Sequence, residues 1–374
     1  MSILPNTAPA LSSPSSLWKP RLLALRRRLP TLLVLLRLIA IILCATFTML
    51  LLLYFMLGLA PYLANASTYW GYTCHSCFDI DKSHWPTWTQ TVPDDFNVSS
   101  LSVPGTHDTM SYTIRSRRLR CQNWDLRTQL QAGIRYLDIR ARLRDDRLHI
   151  YHADTPTGHS YVDVLVTVFD YLQDHPGEFI VMRLKEEGEP LGRNTMPFHG
   201  AFSNVRFTDP RIKDRWHAHW YVHNDSMPLP TVGQIRNKIF ILQGFPSPEF
   251  QYGLRWDGPQ MVLQDEWVLQ DMNHIEEKMD AIVNHFEKAN SAPLDNQHLY
   301  LSHLSASVGV LPIEAAAGTQ NRSIEGLNDR TNQYIRQQFY EKGASRLGVV
   351  IIDFPGDSLV NIVLRRTGHA FHQV

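Results

Sequence analysis

The chain has 374 residues, with 36 Lys plus Arg against 36 Asp plus Glu. That zero balance gives no reason to expect nucleic acid or another polyanion as a partner, so any charge that matters is local. The length suits one large catalytic domain with appendages.

Residues 1–30 are rich in Pro, Ser and Arg, a composition that disfavours a packed fold and reads as a tail. Lys19, Arg21, Arg26, Arg27, Arg28 and Arg37 then precede an uncharged stretch from Leu38 to Leu63. That stretch exceeds the ~20 residues a helix needs to span a bilayer, and Tyr69 and Trp70 beyond it suit an interfacial aromatic belt. No Lys or Arg recurs before Lys82, so the positive-inside rule puts the N-terminus in the cytoplasm and predicts a type II membrane protein.

A cleavable signal peptide is the competing reading, because Ala64-Asn65-Ala66 has the small-residue form of a cleavage site. Both readings send residues 67–374 to the lumenal or extracellular side, and the second yields a secreted protein. The expected division is a basic cytoplasmic tail at 1–37, a single transmembrane helix at 38–63, a stalk at 64–95 with room to fold back, and a catalytic barrel at 96–374. Sequons at Asn65, Asn97, Asn224 and Asn321 suit a glycoprotein. Beyond Cys44, any two of Cys74, Cys77 and Cys121 can pair in an oxidising lumen. Cys74-His-Ser-Cys77 is half of a zinc site, with no second Cys-x-x-Cys to complete it.

From Ser100 onward, short apolar runs keep ending in polar residues. Ser100–Val103 leads to His107 and Asp108, Ile134–Ile139 to Arg140, Leu148–Tyr151 to His152, and Phe179–Leu184 to Lys185. Lys238–Leu242 ends at Gln243, Met261–Gln264 at Asp265, Leu299–Leu301 at Ser302 and His303, and Gly348–Ile352 at Asp353. These eight candidate strands are rich in Val, Ile, Leu and Tyr, as buried strands are. Between two of them, Val162, Leu165, Phe169 and Leu172 form a helical stripe that His175-Pro176-Gly177 stops. The alternation predicts an α/β fold, a distorted (β/α)₈ TIM-type barrel with its site at the C-terminal strand ends. The stretch from Ala141 to Arg147 is too short for a crossover helix, so the barrel is expected to be irregular there.

Two histidines flanking an arginine are what acid–base cleavage of a phosphodiester needs. One takes a proton from the nucleophile, the other gives one to the leaving oxygen, and the guanidinium neutralises phosphoryl charge. His107, Arg140 and His152 supply that set. Any one of the 17 histidines alone reads as a surface or hydrogen-bonding residue; the order of the set carries the weight.

Five ordered motifs make the pattern specific: Ser102-Val-Pro-Gly-Thr-His-Asp108, Gly133-Ile-Arg-Tyr-Leu-Asp-Ile-Arg140, the strand ending in His152, His175-Pro-Gly-Glu178 with Leu184-Lys-Glu-Glu187, and Ile351-Ile-Asp-Phe-Pro355. Together they resemble the X-domain of phosphatidylinositol-specific phospholipase C, especially its compact bacterial form, from about Phe96 to Leu364. The resemblance implies a distorted TIM barrel that cleaves in two steps through a cyclic inositol phosphate. It implies His107 as base, His152 as acid helped by Asp108, and Asp353 orienting His107. Calcium-dependent members carry a carboxylate where this chain has Arg140, which implies an enzyme with no metal and no cofactor. Lys185, Asp265 and Trp267 resemble inositol-holding positions, with Trp267 standing for a tyrosine; an arginine of the bacterial enzymes has no counterpart near Gln243 and Gly244. Trp267 taken alone reads equally as a packed core aromatic.

The expected substrate is an inositol phospholipid or a glycosyl-phosphatidylinositol in a membrane. The alternatives are a barrel that has lost catalysis and binds head groups or a protein, and a calcium-dependent glycerophosphodiester phosphodiesterase, whose ~6–8 oxygen ligands are not supplied by Asp108 and Asp138 alone.

Overall fold

The computed structural model describes residues 19–66, 71–342 and 346–367. The chain divides into two compact units, one up to Trp70 and the other from Gly71.

The first unit is one helix, α1 (Lys19–Ala66), of 48 residues. Its stretch Pro30–Gly58 has 29 residues, a mean hydropathy of 2.6 and no buried side chain. At ~1.5 Å per residue the stretch is roughly 44 Å long, more than the ~30 Å hydrocarbon thickness of a bilayer. The helix begins ahead of the expected span because Leu, Ala and Arg around residues 21–29 are strong helix formers. Residues 1–18 of the expected tail lie outside the described residues.

In the second unit the strands are, in chain order, β1 (Ser102–Thr106), β2 (Tyr136–Arg144), β3 (Arg147–His152), β4 (Thr155–Ser160), β5 (Ile180–Glu186), β6 (Trp220–Tyr221), β7 (Ile239–Gly244), β8 (Leu254–Arg255), β9 (Met261–Gln264), β10 (Val268–Leu269), β11 (Leu299–His303), β12 (Ser307–Val308) and β13 (Gly348–Ile352). All but β10 and β12 join one curled sheet, whose main path runs β6-β7-β5-β2-β1-β13-β11-β9. Every neighbouring pair on that path is parallel. Among the described residues no ladder joins β9 to β6, β7 or β8, so the half-barrel is not closed by hydrogen bonds on that side.

The expected third barrel strand, around Leu148–Tyr151, differs. β3 runs antiparallel to β2, with Leu143 opposite Leu148. Asp145 and Asp146 make the turn at φ 50° and 60°, a left-handed conformation that aspartate tolerates better than most residues. A hairpin explains why the connection was too short for a crossover helix.

The local elements follow their sequence signals. Asp125 caps α2 (Leu126–Ala132) by accepting from the Thr128 N–H at 2.9 Å. α3 (Tyr161–Asp174) opens with a capping box in which Ser160 and Asp163 bond reciprocally. It buries Leu165, Phe169 and Leu172 fully, as its stripe predicts.

The segment from Gly71 to Asp95, expected as a stalk, lies within the second unit. Ile80, Trp88 and Val92 join the same core as the barrel strands. Its anchor is a wholly buried ion pair, Arg135 with Glu178 at 2.7 Å. Arg135 also donates to the Trp85 and Pro86 carbonyls, while Glu178 accepts the backbone N–H groups of Thr89 and Gln90. Gly177 is needed beside them, because a Cβ there would meet the Gln90 side chain at 2.3 Å. Cys74 and Cys77 are disulfide-bonded, so they do not form a zinc half-site, and Cys121 is free and buried.

Truncating one partner of a buried, hydrogen-bonded ion pair leaves the other charge stranded, at a cost of about 3–5 kcal/mol. Arg135→Ala is expected to lower unfolding stability by that amount in a denaturant titration, and a loss below about 1 kcal/mol would contradict the anchoring role.

Candidate active site

β1 is buried throughout and ends in the turn that carries His107 and Asp108. Gly105 lets it approach β2, since a Cβ there would meet the Tyr136 ring at 2.6 Å. Asp108 turns at φ 41°. The turn is held by Asp138 of β2, whose carboxylate accepts the Asp108 N–H at 3.1 Å and whose own N–H donates to Thr109 Oγ1 at 2.8 Å.

Two residues further along the same face of β2, Arg140 reaches both aspartates. Its Nε lies 3.1 Å from Asp108 Oδ1, and its Nη2 lies 3.0 Å from Asp138 Oδ2. Nη2 also donates to His107 Nε2 at 2.7 Å. A guanidinium has donors only, so Nε2 must accept and the imidazole proton sits on Nδ1. Nδ1 in turn donates to Asp353 Oδ1 at 2.8 Å. Asp353 follows β13, and its backbone carbonyl is held by Asn328 at 2.9 Å.

His152 arrives by the hairpin, not at the end of a parallel barrel strand as the alternation in the sequence suggested. Its Nδ1 donates to the Leu119 carbonyl at 2.7 Å, which leaves Nε2 facing Asp108 Oδ2 at 3.3 Å. His107 Nε2 lies 3.2 Å from the same oxygen. The two rings are 6.2 Å apart between centroids.

Burial, with the Arg140 charge beside it, holds His107 well below the usual imidazole range. Burial raises Asp108 to about 6 against the pull of Arg140. Burial also works against ionisation of Asp138, yet Arg140 and Arg183 outweigh it and keep that carboxyl well below its usual range. Asp353 is raised, first by burial and then by the nearby Asp108 carboxylate.

These groups open onto a cavity of about 740 Å³ whose lining includes Lys185, Asp265 and Trp267. Lys185 pairs with Glu187 at 2.7 Å, and Asp265 lies 3.9 Å from His303 Nδ1. Trp267 is 50 % exposed at the cavity wall, so it is not a packed core aromatic. The structure therefore links Asp353, His107, Arg140, Asp108 and His152 in one chain of contacts and sets Lys185, Asp265 and Trp267 around the same opening.

The profile described as "Phosphatidylinositol-specific phospholipase C, X domain" matches residues 101–244. The chain is 31 % identical over 294 residues to the 1-phosphatidylinositol phosphodiesterase of Listeria monocytogenes, covering 74 % of this chain and 84 % of that protein. The chain belongs to the phosphatidylinositol-specific phospholipase C X-domain family. The solved Listeria phospholipase C structure superposes with a TM-score of 0.60 at 30 % identity, covering 75 % of this chain and 98 % of that one. The 1-phosphatidylinositol phosphodiesterase of Staphylococcus aureus is 22 % identical over 311 residues, spanning 77 % of this chain and 93 % of that protein.

Several residues around this cavity were not singled out from the sequence. Arg183 donates to Asp138 at 3.4 Å and stacks on Trp256, 3.7 Å from its ring centroid. The period of two along β5 places Arg183 with Lys185, which was a usable signal. Glu187 and Cys121 also line the cavity, and Cys121 lies in an irregular stretch with no pattern to mark it.

A carboxyl raised to about 6 takes its proton as pH falls through that value, and Asp108 then no longer supports a charged imidazole at 3.3 Å. The acid limb of kcat/KM is expected near pH 6 and is expected to disappear, along with most activity, in Asp108→Asn. An unchanged limb in that variant would assign it elsewhere.

Proposed function

We propose that the chain is a metal-independent phosphodiesterase that cleaves an inositol phospholipid to diacylglycerol and a cyclic inositol phosphate. The observation that carries this reading is the pairing of two imidazole Nε2 atoms across one carboxylate oxygen, at 3.2 and 3.3 Å, with a guanidinium beside them.

His107 Nε2, neutral and supported from behind by Asp353, takes the proton of the inositol 2-hydroxyl. The hydroxyl oxygen attacks phosphorus, and Arg140 neutralises the charge gathering on the phosphoryl oxygens. His152, with Asp108 stabilising its charged form, donates a proton to the diacylglycerol oxygen as the P–O bond breaks. Water opens the cyclic diester in a second step, with the two histidines exchanging roles. Lys185 and Asp265 are positioned to bond ring hydroxyls, and the half-exposed Trp267 offers an indole face to the sugar or to lipid.

Arg140 already occupies Asp108 and Asp138, the carboxylates that a calcium ion would use. The exposed apolar helix supports a membrane anchor, with the catalytic unit on the lumenal or extracellular side; an alternative fate is cleavage and secretion. Retention would keep the site near membrane lipids, including glycosyl-phosphatidylinositols. Asn321 is exposed within its sequon, consistent with glycosylation on that side.

Sealed microsomes carrying the full-length protein test these points together, using phosphatidylinositol supplied from outside and a chelator throughout. Inositol phosphate release is expected only after permeabilisation, and His107→Ala or His152→Ala is expected to lower it by about 10²–10⁴-fold each. Loss of wild-type activity in chelator would contradict metal independence, and activity without permeabilisation would reverse the topology.

A further inference from the structure

Cys121 is a free cysteine, fully buried among its neighbours, that lines the catalytic cavity. Its Sγ, a ring nitrogen of His107 and a carboxylate oxygen of Asp353 all lie within 4.8 Å of one another. The same holds for Sγ with Asp108 and His152. One sulfur therefore stands within metal-ligating distance of both acid–base groups, although the reaction as derived above makes no use of it.

We propose that Cys121, His107 and Asp353 form an inhibitory zinc site, with Asp108 and His152 beside it. Tetrahedral zinc takes sulfur at ~2.3 Å and imidazole or carboxylate at ~2.0–2.2 Å, which sets ligand atoms roughly 3.3–3.8 Å apart. The three atoms lie within 4.8 Å of one another, so side-chain rotation would have to draw them closer to reach that spacing. Zinc would displace the thiol proton of Cys121 to solvent and move the proton of His107 from Nδ1 to Nε2, where Asp108 Oδ2 at 3.2 Å would accept it in place of the bond from Arg140. The dication is then balanced by one thiolate and one carboxylate.

The surrounding charge permits this. Arg140 contacts His107 at Nε2, the opposite side of the ring from Asp353, and its charge is matched by Asp108 and Asp138. Lys185 is paired with Glu187, and Arg183 contacts Asp138. A thiolate with imidazole selects zinc over calcium or magnesium, whose hard ions prefer oxygen, so zinc inhibition is compatible with a reaction that needs no metal. With zinc on Nδ1, His107 loses its bond to Asp353 and can no longer be supported as a base.

The inhibitory part rests on the reading of His107 as the base, whereas binding does not, so the two are measured separately. The full-length protein in detergent is used, with Cys44→Ser as background to remove the exposed thiol of the apolar helix. Cobalt(II) is expected to give a near-ultraviolet thiolate charge-transfer band that is absent from Cys121→Ser and Cys121→Ala. Micromolar zinc chloride is expected to stop phosphatidylinositol cleavage reversibly, with chelator restoring it. Both Cys121 variants are expected to keep basal activity and to need about tenfold or more zinc for the same inhibition. Absence of the cobalt band, or equal zinc sensitivity in the variants, would overturn the site. A band without inhibition would leave the metal site standing and refute its inhibitory role, whereas full activity in His107→Ala is the separate result that would refute the assignment of His107.

Discussion

A guanidinium shared by two buried aspartates sets the charge of the entire site. Arg140 lies 3.1 Å from Asp108 and 3.0 Å from Asp138, and all three are largely withdrawn from water. Two carboxylates this close and this dry are not both ionised without a cation between them. With Arg140 present, Asp138 stays charged and fixes the β1 turn, while Asp108, raised by burial to about 6, lies beside His152. The same guanidinium fills the acceptor position of His107 and thereby selects its Nδ1–H tautomer. Tautomer, turn geometry and the pKa of Asp108 all depend on one side chain of β2.

The hairpin of β2 and β3 solves a spatial problem. A parallel barrel delivers residues at the ends of successive strands, which spaces them around a rim. Folding β3 back on β2 instead brings His152 to the carboxylate that His107 already touches, so one oxygen addresses both rings. At the other end of the strands the buried pair of Arg135 and Glu178 ties the segment after Gly71 under the sheet. Chemistry at the strand C-termini and anchoring near their N-termini are thus divided along the same strands.

Much of this was legible in the sequence because apolar runs that end in a polar residue are what buried parallel strands require. Residues His107, Arg140, Lys185, Asp265 and Asp353 could be placed together on that ground. The direction of β3 was harder to read, since a short apolar run looks alike whichever way its neighbour runs; only the seven residues from Ala141 to Arg147 hinted at a hairpin. The segment 71–95 carries no periodicity because it is built from short 3₁₀ turns pinned by distant partners such as Glu178. Cys121 could not be placed either. It sits in a loop whose position is set by its N–H donating to Ser111 Oγ and its carbonyl accepting from the Phe354 N–H.

A His107 that activates a hydroxyl of the substrate itself, rather than a water molecule, makes a cyclic diester before any acyclic product. Phosphorus NMR of phosphatidylinositol turnover by the full-length protein, followed from the first minutes in chelator, tests it most directly. A cyclic inositol phosphate is expected first, with acyclic phosphate growing in later at its expense. An acyclic product from the outset, with no cyclic species at any time, would contradict it.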